Sequence, residues 1–189
     1  MIYFCITKLI QLRIIGGKYK GRVISNPKGF NSRITTDRAK ESLFNILNND
    51  FYFEDISVLD MFAGSGNITY EFASRGSDVI AIEKNYKNYT FISSNIKKLG
   101  LTNVKLLKGD CFNKTTTLLQ KFDIIFADPP FSADFISQIP DFVFNNQLLK
   151  KYGILIVEHD KRNSFSSDIK LYDVREYGGV KFSFFRNSK

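Results

Sequence analysis

Apolar positions fall into two regimes along the chain. Before residue 50 they are sparse and mixed with cations. From residue 57 onward, short apolar runs alternate with longer amphipathic stretches, the pattern of a mostly parallel sheet covered by helices. The runs predict strands at 57–61, 79–83, 103–108, 122–127, 152–158, 169–175 and 180–186. The amphipathic stretches predict helices at about 67–75, 86–99, 112–120 and 133–149. The last two strands flank Tyr177-Gly178-Gly179 and read as a hairpin rather than a crossover unit. The fold class is therefore α/β: a mostly parallel sheet ending in an antiparallel hairpin.

The first 50 residues read as an extension, with residues 51–189 as the main domain. Residues 13–25 (RIIGGKYKGRVIS) place two β-rich pieces, 13–15 and 22–25, around Gly16-Gly17 and Gly21, which predicts a β-hairpin. Arg13, Lys18, Lys20 and Arg22 lie on it with Tyr19 between two of them. Cations interleaved with an aromatic suit phosphates and bases, and a solvated ribbon fits the same pattern equally well. After a polar loop, Thr36-Asp37 supply a cap and a first-turn acid for a helix to about Asn48. Arg33 and Arg38 bracket that loop and the helix start.

The chemistry collects where predicted strands end. The apolar run 122–127 stops at Asp128-Pro129-Pro130-Phe131. Two prolines force a turn there. They leave a carboxylate, a rigid carbonyl and an aromatic face together, a set suited to a flat ring bearing an amine. The first strand of the domain runs into Asp60-Met61-Phe62-Ala63-Gly64-Ser65-Gly66 and then a helix. Gly64 and Gly66 permit a tight turn and close approach of a ligand. Thr69 stands where a dinucleotide-binding loop has its third glycine. Asp60 would repel a pyrophosphate and attract a cation or an amine, so this loop suits a positively charged nucleoside without phosphates. Glu83 ends the second strand and can accept two ribose hydroxyls. Asp110 follows the third strand, where it can accept a bond from an exocyclic amine. Four carboxylates thus fall along one edge of one sheet.

Composition narrows the field. Twenty-seven Lys and Arg against 19 Asp and Glu give a net charge of +8 and a pI near 9.4. That surplus suggests a polyanionic partner. The single histidine, His159, argues against a histidine metal site or a His-dependent triad and reads as a satisfied surface residue. Cys5 and Cys111 are too few and too far apart for a zinc site or a disulfide framework, which fits a reducing, cytoplasmic setting. Cys111 reads as a small structural hydrophobe. No apolar run is long enough to span a membrane. Met1–Leu12 lacks the basic start and cleavage site of a signal peptide; it reads as a short helix, an added strand or the product of an upstream start codon.

These residues resemble the class I S-adenosylmethionine-dependent methyltransferases, whose Rossmann-like sheet carries the Asp60–Gly66 loop, Glu83, Asp110 and Asp128-Pro129-Pro130-Phe131 in this order. The tetrad resembles that of enzymes methylating exocyclic amines of nucleobases. More closely, Arg13-Ile14-Ile15-Gly16-Gly17, Gly21-Arg22, Thr35-Thr36-Asp37-Arg38, Glu41-Ser42-Leu43-Phe44-Asn45 and Phe62-Ala63-Gly64-Ser65-Gly66 resemble the RsmD family, which methylates a guanine N2 in small-subunit (16S) ribosomal RNA. The resemblance implies S-adenosylmethionine held by Asp60, Phe62, Ala63, Gly64, Ser65, Gly66, Glu83, Lys84, Asp110, Cys111 and Asp128. It implies catalysis at Asp128, Pro129, Pro130 and Phe131 without a metal. RNA contacts are expected at Arg13, Lys18, Lys20, Arg22, Arg33 and Arg38. The substrate is expected to be ribosomal RNA in a small-subunit assembly particle, and the enzyme a monomer with no membrane association. Because the family usually begins just before the position of Arg13, Met1–Leu12 is expected to carry no function. Glu158 reads either as a substrate-orienting group or as a solvated strand end.

Three other readings compete. A DNA adenine or cytosine amino-methyltransferase uses the same tetrad, but such enzymes usually need an added recognition domain. A non-catalytic RNA-binding protein would have no use for the intact acids and tetrad. A nicotinamide-dependent oxidoreductase conflicts with the acid before the glycines and the missing third glycine.

Overall fold

The computed structural model describes residues 11–25, 35–165, 168 and 170–186. A seven-stranded sheet has the order β5-β4-β3-β6-β7-β9-β8, and β1 and β2 form a separate two-stranded ribbon. The strands are β1 (Gln11–Arg13), β2 (Val23–Ser25), β3 (Ser57–Asp60), β4 (Asp78–Glu83), β5 (Val104–Lys108), β6 (Phe122–Ala127), β7 (Leu149–His159), β8 (Leu171–Tyr177) and β9 (Val180–Arg186). The helices are α1 (Asp37–Leu47), α2 (Asn67–Ser74), α3 (Tyr86–Leu99), α4 (Cys111–Thr115) and α5 (Ile139–Asn145). Strands β3 to β7 are parallel to one another; β9 pairs antiparallel with both β7 and β8.

Side-chain alternation along the strands divides the core between two faces. Val58, Ile124, Phe126, Ile154 and Ile156 pack on the face that also buries Leu43 and Phe44 of α1 and Phe72 of α2. Leu59, Ile125, Leu155 and Val157 pack on the other, with Ile139 and Val143 of α5. Leu12, Ile14 and Ile24 of the ribbon join the first face. The ribbon therefore shares the main core.

Local chemistry sets the helix starts. The Thr36 side chain accepts from the Ala39 amide to cap α1, and Asn85 accepts from Lys87 and Asn88 to cap α3. Gly100 takes the left-handed conformation that closes α3 (φ 65°).

Some sequence expectations shift. The first ribbon strand is 11–13 rather than 13–15, which puts Leu12 in a strand and in the core. The helix expected over 112–120 stops at Thr115. The helix expected over 133–149 shrinks to a 3-10 turn at Ile136–Gln138 and the seven residues of α5. Pro140 sits in the first turn of α5, where its missing N–H costs nothing. Leu149 already belongs to β7, which is longer than expected. Arg33 and nearly all of Met1–Leu12 lie outside the described residues.

Candidate active site

The strand order reverses between β3 and β6: from β3 the chain builds outward through β4 and β5, then returns to lay β6 and β7 on the other side. Such a reversal leaves a crevice at the carboxyl ends of the strands. Asp60 closes β3 and Asp128 follows β6, so the two acids flank it. A cavity of about 750 Å³ opens there. Asp60, Phe62, Ala63, Gly64, Ser65, Glu83, Lys84, Asp110, Cys111, Asp128, Pro129, Pro130 and Phe131 all line it.

The loop after β3 is pinned to its neighbours. The Met61 amide donates to the Phe126 carbonyl, and the Ala63 amide to the Ile82 carbonyl (2.9 and 3.0 Å). Glu83 Oε2 accepts from the Gly64 amide at 2.8 Å and Oε1 from the Asn85 amide at 2.5 Å. Glu83 thus ties the loop to β4, and its carboxylate retains lone pairs for further donors. Gly66 sits behind the lining as the cap of α2 at φ 81°; a Cβ there would lie 2.6 Å from the Tyr70 ring. Only glycine fits.

Burial tunes the acids. Asp60 is almost wholly enclosed, and that desolvation, with Glu83 nearby, pushes its carboxyl up to about 6 despite a 2.6 Å bond from Thr69 Oγ1. Burial also raises Glu83. Asp110 caps α4, accepting from the Phe112 and Asn113 amides, while its other oxygen faces Lys84 Nζ at 3.3 Å. Burial pushes the Cys111 thiol up to about 12, so it stays protonated and serves as a wall.

One wall is aromatic. Phe62 stacks with Phe135 at 6.0 Å between centroids, and Phe112 meets Phe135 edge-on at 5.3 Å. All three line the cavity. Together with the strand-end acids they form a flat apolar slot with acceptors at its edges. An aromatic heterocycle with a ribose and a cationic tail matches that chemistry, and the volume is ample for one. Phe112 and Phe135 were not singled out from sequence, because each read as an ordinary helix residue.

A buried polar chain backs the opposite wall. Lys40 Nζ donates to Glu71 Oε1 (2.8 Å), to Asn67 Oδ1 (3.0 Å) and to the Arg13 carbonyl (2.5 Å). Asn67 Nδ2 donates to the Thr35 carbonyl, and Thr35 Oγ1 donates to Glu158 Oε2 at 2.7 Å. Thr35 and Asn67 line the cavity. Glu158 and His159 are fully buried, which corrects the solvated and surface readings of both. His159 is held between Ser183 Oγ and the Asp160 carbonyl, and burial lowers it. No local pattern marks Lys40 or Glu71 as buried groups.

The cationic ribbon is fastened along α2. Ile15 N–H donates to Glu71 Oε1, Lys18 N–H to the Ser74 carbonyl, and Tyr19 N–H to Ser74 Oγ. Lys18 and Lys20 therefore project at the end of α2 remote from Asn67, roughly 10 Å along the helix from the cavity. Arg13, Arg22 and Arg38 are exposed as well, and Arg13 pairs with Asp37 at 2.6 Å. None of these cations lines the cavity.

Comparison with known proteins is consistent across sequence and structure. The family model described as Conserved hypothetical protein 95 matches residues 12–186. The chain is 32% identical over 155 residues to the Bacillus subtilis (strain 168) protein named putative rRNA methyltransferase YlbH, covering 79% of this chain and 83% of that one. It is 30% identical over 156 residues to ribosomal RNA small subunit methyltransferase D of Escherichia coli (strain K12), covering 81% and 77%. Among solved structures, the putative methyltransferase yhhF from Escherichia coli superposes with a TM-score of 0.81 at 27% identity, over 95% of this chain and all (100%) of that one.

Proposed function

The chain belongs to the RsmD family of class I methyltransferases, and on that footing we propose that it transfers a methyl group from S-adenosylmethionine to the exocyclic N2 of a guanine in small-subunit ribosomal RNA. One observation carries the reading. Asp60 and Asp128 flank the crevice where the strand order reverses, and a single cavity takes in both. The residues fit the cofactor: acceptors at Glu83 and Asp110 for a nucleoside, an aromatic slot for its base, and a buried acid at Asp60 for a cationic tail. When bound, S-adenosylmethionine supplies an electrophilic methyl on a positively charged sulfur.

The chain's own residues do the rest by positioning and electrostatics. The lone pair of a guanine amine is delocalised into the ring, which makes the nitrogen a poor nucleophile. The Asp128 carboxylate and the Pro129 carbonyl accept its two N–H bonds and turn the lone pair out of conjugation. As the nitrogen gains positive charge, Asp128 interacts more strongly than with the neutral amine, so it lowers the barrier rather than only binding substrate. Phe131 stacks on the base, which must be unpaired or flipped out to enter. Residues 1–50 supply RNA contacts through Arg13, Lys18, Lys20, Arg22, Arg33 and Arg38, and residues 51–189 form the transferase. The protein works as a monomer in the cytoplasm on an assembling small-subunit particle.

The test is tritiated methyl transfer to small ribosomal particles lacking the modification, followed by nucleoside analysis. Label in N2-methylguanosine is expected. Label in a methylated adenosine or cytidine, or none, overturns the assignment.

A further inference from the structure

The lip of the cavity formed by β4 and β5 carries four lysines, of which only Lys84 lines the cavity. Lys84, Lys87, Lys108 and Lys114 are all exposed. Tyr86, next to Lys87 in sequence, is 65% exposed although large and aromatic. Lys108 Nζ lies 4.6 Å from the centre of the Tyr86 ring. Lys108 pairs in register with Glu83 across β4 and β5. A Cβ on Gly109 would fall 2.6 Å from Lys114 Cε, so the Lys114 chain lies across that glycine. Asn85, Asn88 and Gly109, neighbours of these residues in sequence, line the cavity. The cluster is therefore on the rim.

Stability does not account for this arrangement. Lys87 occupies the first turn of α3, where the helix dipole disfavours cations and no acid is present. Of these four lysines, Lys84 alone has an acidic partner among the described residues, Asp110. A surface tuned for solubility alone would intersperse both signs. Cations near an exposed aromatic side chain match a strand of nucleic acid, with phosphates at the lysines and a base against the ring.

We infer that Tyr86, Lys84, Lys87, Lys108 and Lys114 form a second RNA-contact surface, on the rim opposite the double-proline corner. This rests on ribosomal RNA being the substrate. A nucleotide drawn out of its stack must be gripped through the strand on both sides of it. The ribbon cations are displaced along α2 and away from the cavity mouth. The β4–β5 lip holds the flanking nucleotides at the mouth itself, with one base on Tyr86.

Two variants that leave the cavity lining untouched test this: the double variant Lys87→Glu/Lys108→Glu, and Tyr86→Ala with Tyr86→Phe as its control. Binding of a small-subunit ribosomal RNA transcript is followed by fluorescence anisotropy across a salt series. Cofactor affinity is measured by calorimetry on the same samples. The double variant is expected to bind RNA at least about tenfold more weakly and to flatten the salt slope by about 2. Tyr86→Ala should weaken RNA about tenfold with the slope unchanged, and Tyr86→Phe should behave as wild type. Cofactor affinity should hold in all of them. Wild-type RNA affinity and slope in a folded double variant overturns the surface alone. Absence of RNA binding and methyl transfer in the wild-type protein overturns the functional reading and the surface with it.

Discussion

Lys40 Nζ and Glu71 Oε1 meet at 2.8 Å with both side chains closed to solvent. The pair joins α1 to the middle of α2. Glu71 also accepts from the Ile15 amide, and from Arg75 Nη1 at 2.6 Å. Removing the ammonium leaves a buried carboxylate short of a partner and two acceptors, Asn67 Oδ1 and the Arg13 carbonyl, without their donor. Lys40→Met is therefore expected to cost about 3 kcal/mol or more in urea denaturation. A loss below about 1 kcal/mol would show that the network is loosely held.

Asp60 predicts a pH dependence whose sign can be worked out. Its carboxyl titrates near 6 in the folded protein against 3.8 for an ordinary aspartate. Below the lower value both folded and unfolded chains hold the proton. Between the two only the folded chain does, so stability falls as pH rises through that window and then levels. Holding the ionised group at pH 7 costs the folded state roughly 3 kcal/mol. Asp60→Asn should stabilise the cofactor-free protein at pH 7 and have little effect below pH 4, as read by denaturation at both. Cofactor binding should show the opposite trend. A cationic ligand needs the ionised acid, so calorimetry should find affinity falling as pH drops through about 6, and Asp60→Asn should abolish that dependence.

Asp128→Ala separates binding from chemistry. Asp128 lines the cavity at the end of β6, whereas the loop carrying Gly64 is tied down by Glu83. The variant should still bind cofactor by calorimetry and lose about a thousandfold or more in single-turnover methyl transfer. Near-normal turnover would remove Asp128 from the mechanism.

Gly17 and Gly21 form a matched pair for testing how the ribbon is attached. Both have positive φ, 72° and 85°. A Cβ on Gly17 would lie 2.0 Å from the Ser74 carbonyl oxygen, and one on Gly21 would meet nothing within 4 Å. Gly21→Ala should cost only the backbone strain, about 1 kcal/mol. Gly17→Ala adds a collision with backbone, and should cost at least twice as much and speed hydrogen exchange at the Lys18 amide, which donates to that same carbonyl.

The sheet and its acids were legible because each sits at the end of an apolar run, and such runs set strand ends whatever the tertiary context. Asp60, Glu83, Asp110 and Asp128 were found that way, and all four line one cavity. The 133–149 segment misled because Phe135, seven positions before Phe142 of α5, sits where the same helical face would continue. Phe135 and Phe142 instead each meet Phe112 edge-on, and Pro140 starts a shorter helix. Glu158 looked exposed because a charge at a strand end usually is; Thr35, 123 positions earlier, closes over it. Lys40 and Glu71 were illegible for a related reason. A buried ion pair is decided by which segment folds over which, and no local pattern records that.

The Ser74 hydroxyl, accepting from Tyr19 and donating to the Gly16 carbonyl, has a kinetic consequence. With main-chain groups of Ile15, Gly16, Lys18 and Tyr19 already bonded to α2, this turn of the ribbon is ordered before a charged polymer arrives. Encounters with this side of the molecule should be limited by diffusion and ionic strength, without a slow rearrangement step that saturates as polymer concentration rises.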